Sequence, residues 1–137
     1  MTVVPLYAGL LALWFLVLSV RVIRARGSGG VSLGDGGDTT LLRRLRAHAN
    51  FAEYVPLALL LMAMLELGCT SIDVLHALGI ALLVARLLHG YAFSFTPQFK
   101  FGRVGGTLLT FLVLAVAALL CIDQALRGHL GSLGDLA

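Results

Sequence analysis

With 137 residues, 59% of them apolar, a mean hydropathy of +0.97 and only 12% charged residues, the chain is too hydrophobic to be a water-soluble domain of its size. Its formal charge of +3 comes from nine arginines and one lysine against seven carboxylates. These arginines flank apolar runs and do not gather on one exposed face, which sets aside nucleic acid as a partner and leaves topology and anionic ligands.

The first apolar run covers about residues 5–23, long enough to cross a bilayer. It is followed by Arg21, Arg24 and Arg26 and preceded by no charge. That order is the reverse of a secretory signal peptide, so the run is expected to stay attached as a spanning helix. A glycine-rich stretch follows, GSGGVSLGDGGDTT, with Asp38, Thr39 or Thr40 placed to cap the next helix. It lacks the GKS or GKT of a phosphate loop, and Asp35 with Asp38 does not make a calcium loop.

The second helix is expected over about residues 41–67, with Pro56 tolerated inside it and Gly68 as its stop. Thr70 and Asp73 have capping-box spacing for a third helix over about 72–95, which Pro97 ends. A fourth, over about 105–126, is almost purely apolar. The expected fold is a single all-α transmembrane domain of four helices, in which the first and fourth are lipid-facing walls and the second and third hold the polar groups.

Arg21, Arg24, Arg26, Arg43, Arg44, Arg46, Lys100 and Arg103 all fall at the first and third connections, and Arg127 is alone on the opposite side. The positive-inside rule then puts those two connections in the cytoplasm and both termini outside.

Arg46, Asn50 and Glu53 are spaced to stack along one face of the second helix, continued by Leu57 and Leu60, and this row is expected to face the interior of the bundle. Arg86, His89 and Phe93 make a corresponding row on the third helix. Glu53 lies about a dozen residues in from the cytoplasmic start of its helix, roughly 18 Å, and Arg86 lies at similar depth. A lone charge there is expensive, so a Glu53–Arg86 pair with Asn50 and His89 nearby is the expected arrangement.

One such pair would suffice to tie two helices together. The cytoplasmic half gathers far more: Arg46, His48, Asn50, Glu53, Tyr54, Arg86, His89, Tyr91 and Arg103, an inventory suited to a zwitterionic ligand with several carboxylates and an amine. His48 and His89 have no second histidine or cysteine at metal-ligand spacing, so no metal or haem is expected. His76 and His129 are expected at the outer surface. Cys69 and Cys121 form neither a CxxC pair nor a zinc cluster and are expected to pack as small apolar residues.

The segment RAHANFAEYVP, Arg46 to Pro56, resembles the second-helix motif of the membrane-associated proteins in eicosanoid and glutathione metabolism, the MAPEG family. RLLHGYAF, Arg86 to Phe93, and RVGGTLLT from Arg103 look like that family's third-helix motif and the arginine that opens its fourth helix. With the VSLGDGG loop the resemblance covers nearly the whole chain. It implies a homotrimer of four-helix bundles in a bacterial inner membrane, with glutathione bound between subunits toward the cytoplasm.

Carried over by position, Arg46, Asn50, Glu53 and Tyr54 would hold glutathione, with His48, Arg86, His89 and Arg24 or Arg21 contributing. Tyr91 and Arg103 would be the catalytic pair. Arginine is no general base at neutral pH, so Arg103 would act electrostatically, lowering a thiol pKa that is about 8.5 for free cysteine. The implied activity is a glutathione-dependent transferase or peroxidase acting on hydrophobic electrophiles or lipid hydroperoxides that arrive from the bilayer.

Two departures from the family pattern bear on catalysis. Phe93 stands where some members have tyrosine, and Gln98 stands where the eicosanoid-forming members have a basic residue, so Lys100 or Arg103 would have to serve. The alternative is a non-enzymatic membrane module that keeps the fold for ligand binding or assembly. A channel or proton-coupled transporter finds no support in an inverted repeat or broken helix pair.

Overall fold

The computed structural model describes residues 1–96 and 100–134, with side chains through His129. Four helices account for nearly all of this: α1 (Val3–Gly29), α2 (Thr39–Leu67), α3 (Ile72–Ser94) and α4 (Lys100–Gly134). All four are long and apolar enough to span a membrane. Pro97 and Gln98 lie outside the described residues.

α1 continues past the expected end at Ile23 through RARGSG. At 1.5 Å per residue, a helix of 27 residues is roughly 40 Å long and overshoots the ~30 Å hydrocarbon core, so Arg24 and Arg26 sit where water can solvate them and the helix need not stop. In the loop that follows, Asp35 accepts from the Gly37 amide at 3.1 Å. Asp38 then caps α2, its carboxylate accepting from the Thr40 amide at 2.7 Å.

α2 ends at Leu67 as expected, but for a different reason. Gly68 keeps a negative φ of −85°, and the left-handed residue is Cys69, with φ 63°. Without a Cβ, Gly68 leaves room for the end of the Gln124 side chain of α4, which a larger residue here would displace. Thr70 does not cap α3; its hydroxyl reaches Gln124 at 3.4 Å, and Ser71 is the N-cap residue without a side-chain bond. Cys69 is therefore exposed in a turn, not packed, whereas Cys121 is partly buried with Sγ 3.5 Å from the Leu61 carbonyl.

α2 and α3 form the centre of the bundle. α1 packs on one side of this pair and α4 on the other, and among the described residues α1 and α4 do not meet. The core stripe of α2 is Ala47, Phe51, Val55, Ala58, Met62 and Leu65, packed against Leu11 and Leu18 of α1, Leu75 and Leu82 of α3, and Val113 and Ala117 of α4. Lipid is as apolar as leucine, so these contacts hold by close packing and interhelical hydrogen bonds. Large apolar side chains are exposed on every helix, including Leu57 and Leu60 of α2 and Ile80 and Val84 of α3, so the lipid-facing surface is not confined to α1 and α4.

At the end of the bundle opposite the arginine-rich connections, Glu66 of α2 takes over the N-cap of α1. Its carboxylate accepts from the amides of Thr2, Val3 (2.8 Å) and Val4 (2.9 Å), which have no capping side chain of their own. Nearby, the buried Tyr7 hydroxyl lies 2.9 Å from Nδ1 of His76, so His76 is an interhelical partner and not merely a surface residue. His129 is exposed. We expect Glu66→Ala to leave α2 and α3 intact while the Thr2, Val3 and Val4 amides lose protection in hydrogen exchange. Unchanged protection would show that the clasp is dispensable.

Candidate functional site

The row Arg46, Asn50 and Glu53 does not face the interior of the protomer. It lies about a third of a turn around α2 from the apolar core stripe, with Arg46 and Glu53 exposed and Asn50 half-buried. A helix carrying one purely apolar stripe and one charged stripe buries the former, since burying Arg46 and Glu53 would strip both of their hydration.

The row forms one wall of a groove. A cavity of about 290 Å³ is lined by Arg46, Ala49, Asn50, Glu53, His89 and Phe93. A second, of about 360 Å³, shares Asn50, His89 and Phe93 and adds Arg103, Val104, Thr107 and Leu108 of α4. The two are halves of one depression whose floor is α3.

The expected Glu53–Arg86 pair does not form. Arg86, 1% exposed, donates from Nη1 to Asn50 Oδ1 at 2.8 Å and from Nη2 to the Gly106 carbonyl at 3.3 Å and to Thr110 Oγ1. The guanidinium is held by neutral oxygens from α2 and α4, while its buried Nε finds no acceptor among the described residues. Among the described residues the ion pair present is Arg127–Asp123, at 2.9 Å on exposed α4. Glu53 is thus left in the groove. Sequence reasoning missed Gly106 and Thr110; the available signal was a small residue and a hydroxyl one turn apart at the start of an otherwise apolar helix.

Phe93 is flanked by two cations, with the Arg103 guanidinium 5.3 Å and that of Arg43 5.9 Å from its ring centre. Arg43, not singled out from sequence as a site residue, donates to the carbonyls of Phe93 (3.3 Å) and Ala92 (3.0 Å) and so braces the end of α3. His89, 3% exposed, leans on the Phe93 ring at 4.8 Å.

Other candidates lie elsewhere in the protomer. His48 points toward α1, 3.1 Å from Ser19 Oγ and stacked on Phe15. Tyr54 packs edge-on against Phe111 of α4. Tyr91, 51% exposed, stacks on Phe95, whose ring lies 3.6 Å beneath the Arg21 guanidinium. Arg21 is itself fastened to Ser94 by its side chain, and Arg24 lines a separate apolar cavity with Leu16, Val17, Val20 and Phe95. Arg46, Asn50, Glu53, His89 and Arg103 are therefore brought together and Arg86 lies beneath them, whereas His48 faces α1, Tyr91 sits against Phe95, and Arg24 lies on α1 at a separate cavity.

The groove presents two exposed guanidiniums, Arg46 and Arg103, with one exposed carboxylate, Glu53. That balance suits an anionic ligand that also carries an ammonium group. No group of histidine, cysteine and acidic residues able to hold a metal ion occurs among the described residues.

The sequence matches known proteins over most of its length. The MAPEG family pattern matches residues 4–123. The inner membrane protein YecN of Escherichia coli strain K12 is 37% identical over 116 residues, which cover 83% of this chain and 88% of that protein, and YecN of the O6:H1 strain CFT073 matches to the same extent. The family match spans all four helices and both walls of the groove, so the chain belongs to the MAPEG family.

Proposed function

We propose that this protein is a membrane-bound glutathione-dependent transferase or peroxidase that acts on hydrophobic electrophiles or lipid hydroperoxides. The observation that carries the reading is the groove itself: Arg46, Asn50, Glu53, His89, Phe93 and Arg103 converge on the surface of a membrane-spanning protomer. Glutathione has two carboxylates, one ammonium and a thiol, and the donor set fits it: Arg46 for a carboxylate, Glu53 for the ammonium and Arg103 for the thiolate.

An exposed carboxylate well inside an apolar helix is costly against lipid, and a neighbouring subunit would remove that cost. This favours a homotrimer with the groove closed between subunits. Arg24 and Tyr91, which face away from the groove within one protomer, would then be available to a site completed by the adjacent one. The charge asymmetry of the connections and the inner-membrane name of the relative support an inner-membrane location with both termini outside and the groove toward the cytoplasm.

In the transferase reaction Arg103 stabilises the thiolate, whose sulfur forms a bond to the electrophilic carbon as the leaving group departs with its electron pair. In the peroxidase reaction two thiols are oxidised to a disulfide while the hydroperoxide is reduced to alcohol and water. The groove lies among membrane-spanning helices, so a lipophilic substrate can reach it along the subunit boundary without crossing an aqueous phase.

Glu53→Gln keeps the shape of the groove but removes the charge that meets the ammonium. We expect glutathione affinity, measured by titration calorimetry of the full chain in detergent, to fall by roughly 10- to 100-fold, the scale of one charged hydrogen bond. Absence of saturable binding by the wild type would overturn the reading. A second reading, ligand binding without turnover, is favoured by one observation: Phe93 puts a ring without a hydroxyl beside Arg103, and Tyr91 points the other way. Conjugation of a chlorinated nitrobenzene by the purified protein would exclude it.

A further inference from the structure

Asn50 stands where the two halves of the groove join, and its carboxamide has two chemically opposite ends. Oδ1 lies 2.8 Å from Arg86 Nη1. A guanidinium has N–H donors and no acceptor, so the oxygen end of Asn50 is committed to Arg86 and the amino end is turned away from it. No acceptor for Nδ2 occurs among the described residues.

We infer that Arg86 is a positioning residue for the groove: by holding the Asn50 oxygen it presents the Asn50 N–H donors to the ligand and selects a carboxylate or carbonyl oxygen at that point. A free asparagine could turn its amide over and accept a hydrogen as readily as it donates one. Arg86 removes that choice. At 1% exposure Arg86 does not reach the ligand itself, and it is in turn immobilised by Gly106 and Thr110 of α4. Three helices therefore set the polarity of one amide. Glu53, three residues along the same face, is the acceptor of the pair, so donor and acceptor are presented side by side.

The identity of the ligand rests on the glutathione reading; the orientation of Asn50 does not, and the test separates the two. Asn50→Asp keeps an oxygen for Arg86 but replaces the donor with an acceptor. Without ligand, its thermal midpoint in detergent is expected to equal or exceed that of the wild type, and this tolerance is expected to vanish in an Arg86→Gln background. A midpoint for Asn50→Asp as low as that of Asn50→Ala would overturn the orientation.

With reduced glutathione as the probe, Asn50→Asp is expected to bind at least about tenfold more weakly than the wild type although it is fully folded. Arg86→Lys and Asn50→Ala are expected to be non-additive in affinity, the double variant resembling Asn50→Ala alone. Additive losses, or full affinity in Asn50→Asp, would overturn the positioning role while leaving glutathione binding in place. Failure of the wild type to bind glutathione would sink the functional reading, and the midpoints would still decide the orientation.

Discussion

Replacing Gly106 with valine is expected to abolish most of the folded protein. A Cβ at this position would stand 2.6 Å from the Ala85 carbonyl oxygen, 2.8 Å from His89 Cβ and 2.9 Å from the His89 amide nitrogen. Backbone atoms cannot swing aside as a flexible side chain can, so α3 and α4 would have to separate. Overpacking of this kind costs about 1–3 kcal/mol. The separation would also pull the Gly106 carbonyl and Thr110 hydroxyl away from Arg86, and a buried cation that loses its partners costs roughly another 3–5 kcal/mol. Together these approach the whole stability of a typical domain, about 5–15 kcal/mol. The measurements are yield after detergent extraction, elution as a single species and thermal midpoint. Gly105→Ala is the control: nothing lies within 4 Å of its Cβ position, and alanine is the better helix former, so its midpoint should rise slightly. A Gly106→Val protein with the wild-type midpoint would contradict the close α3–α4 contact.

The four helices were legible in the sequence because hydropathy integrates over some twenty residues, and every span exceeded that length. Which face of each helix turns inward was less legible. α2 carries an apolar stripe and a polar stripe about a third of a turn apart, and the presence of Glu53 and Arg86 at similar depth suggested that they pair across the core. Depth is a one-dimensional quantity. Rotation about the helix axis, fixed by Ala47, Phe51, Val55 and Ala58 packing inward, placed Glu53 outside and left Arg86 to neutral oxygens.

The same limit explains the other differences. Thr70 and Asp73 had capping-box spacing, yet Thr70 turned to Gln124, a residue 54 positions away that local sequence could not bring to it. Glu66 sat near the end of an apolar helix with no local partner and proved to cap a helix 62 to 64 residues distant. The members of the candidate site that came together, Arg46, Asn50 and Glu53, share one helix face, and helical periodicity suffices for that. Placement of Arg103 and Phe93 opposite them depended on how α3 and α4 dock.

Arg103 carries the largest expected effect on chemistry. It is exposed at the start of α4, lines the half of the groove that includes Thr107, and lies over the face of Phe93, whose ring supplies no hydrogen bond to compete for it. A guanidinium aimed at a developing thiolate raises the population of the reactive form, and loss of one such preorganised group costs about 10²- to 10³-fold in rate. Arg103→Ala is therefore expected to lower kcat/KM for conjugation of a chlorinated nitrobenzene by about that factor. Glutathione affinity near neutral pH should change far less, because on the proposed reading Arg46 and Glu53 hold the ends of the tripeptide and are left in place. The apparent pKa for thiolate formation, followed by ultraviolet absorbance of the bound thiol, should rise toward the ordinary value of about 8.5, so the variant regains activity as pH increases. Arg103→Lys, which retains charge without the planar fork, should fall between. Lys100, exposed one turn earlier on α4, supplies the competing assignment: if Lys100→Ala reproduces the loss and Arg103→Ala retains full turnover, the thiolate is held by the lysine and Arg103 has no part in the reaction.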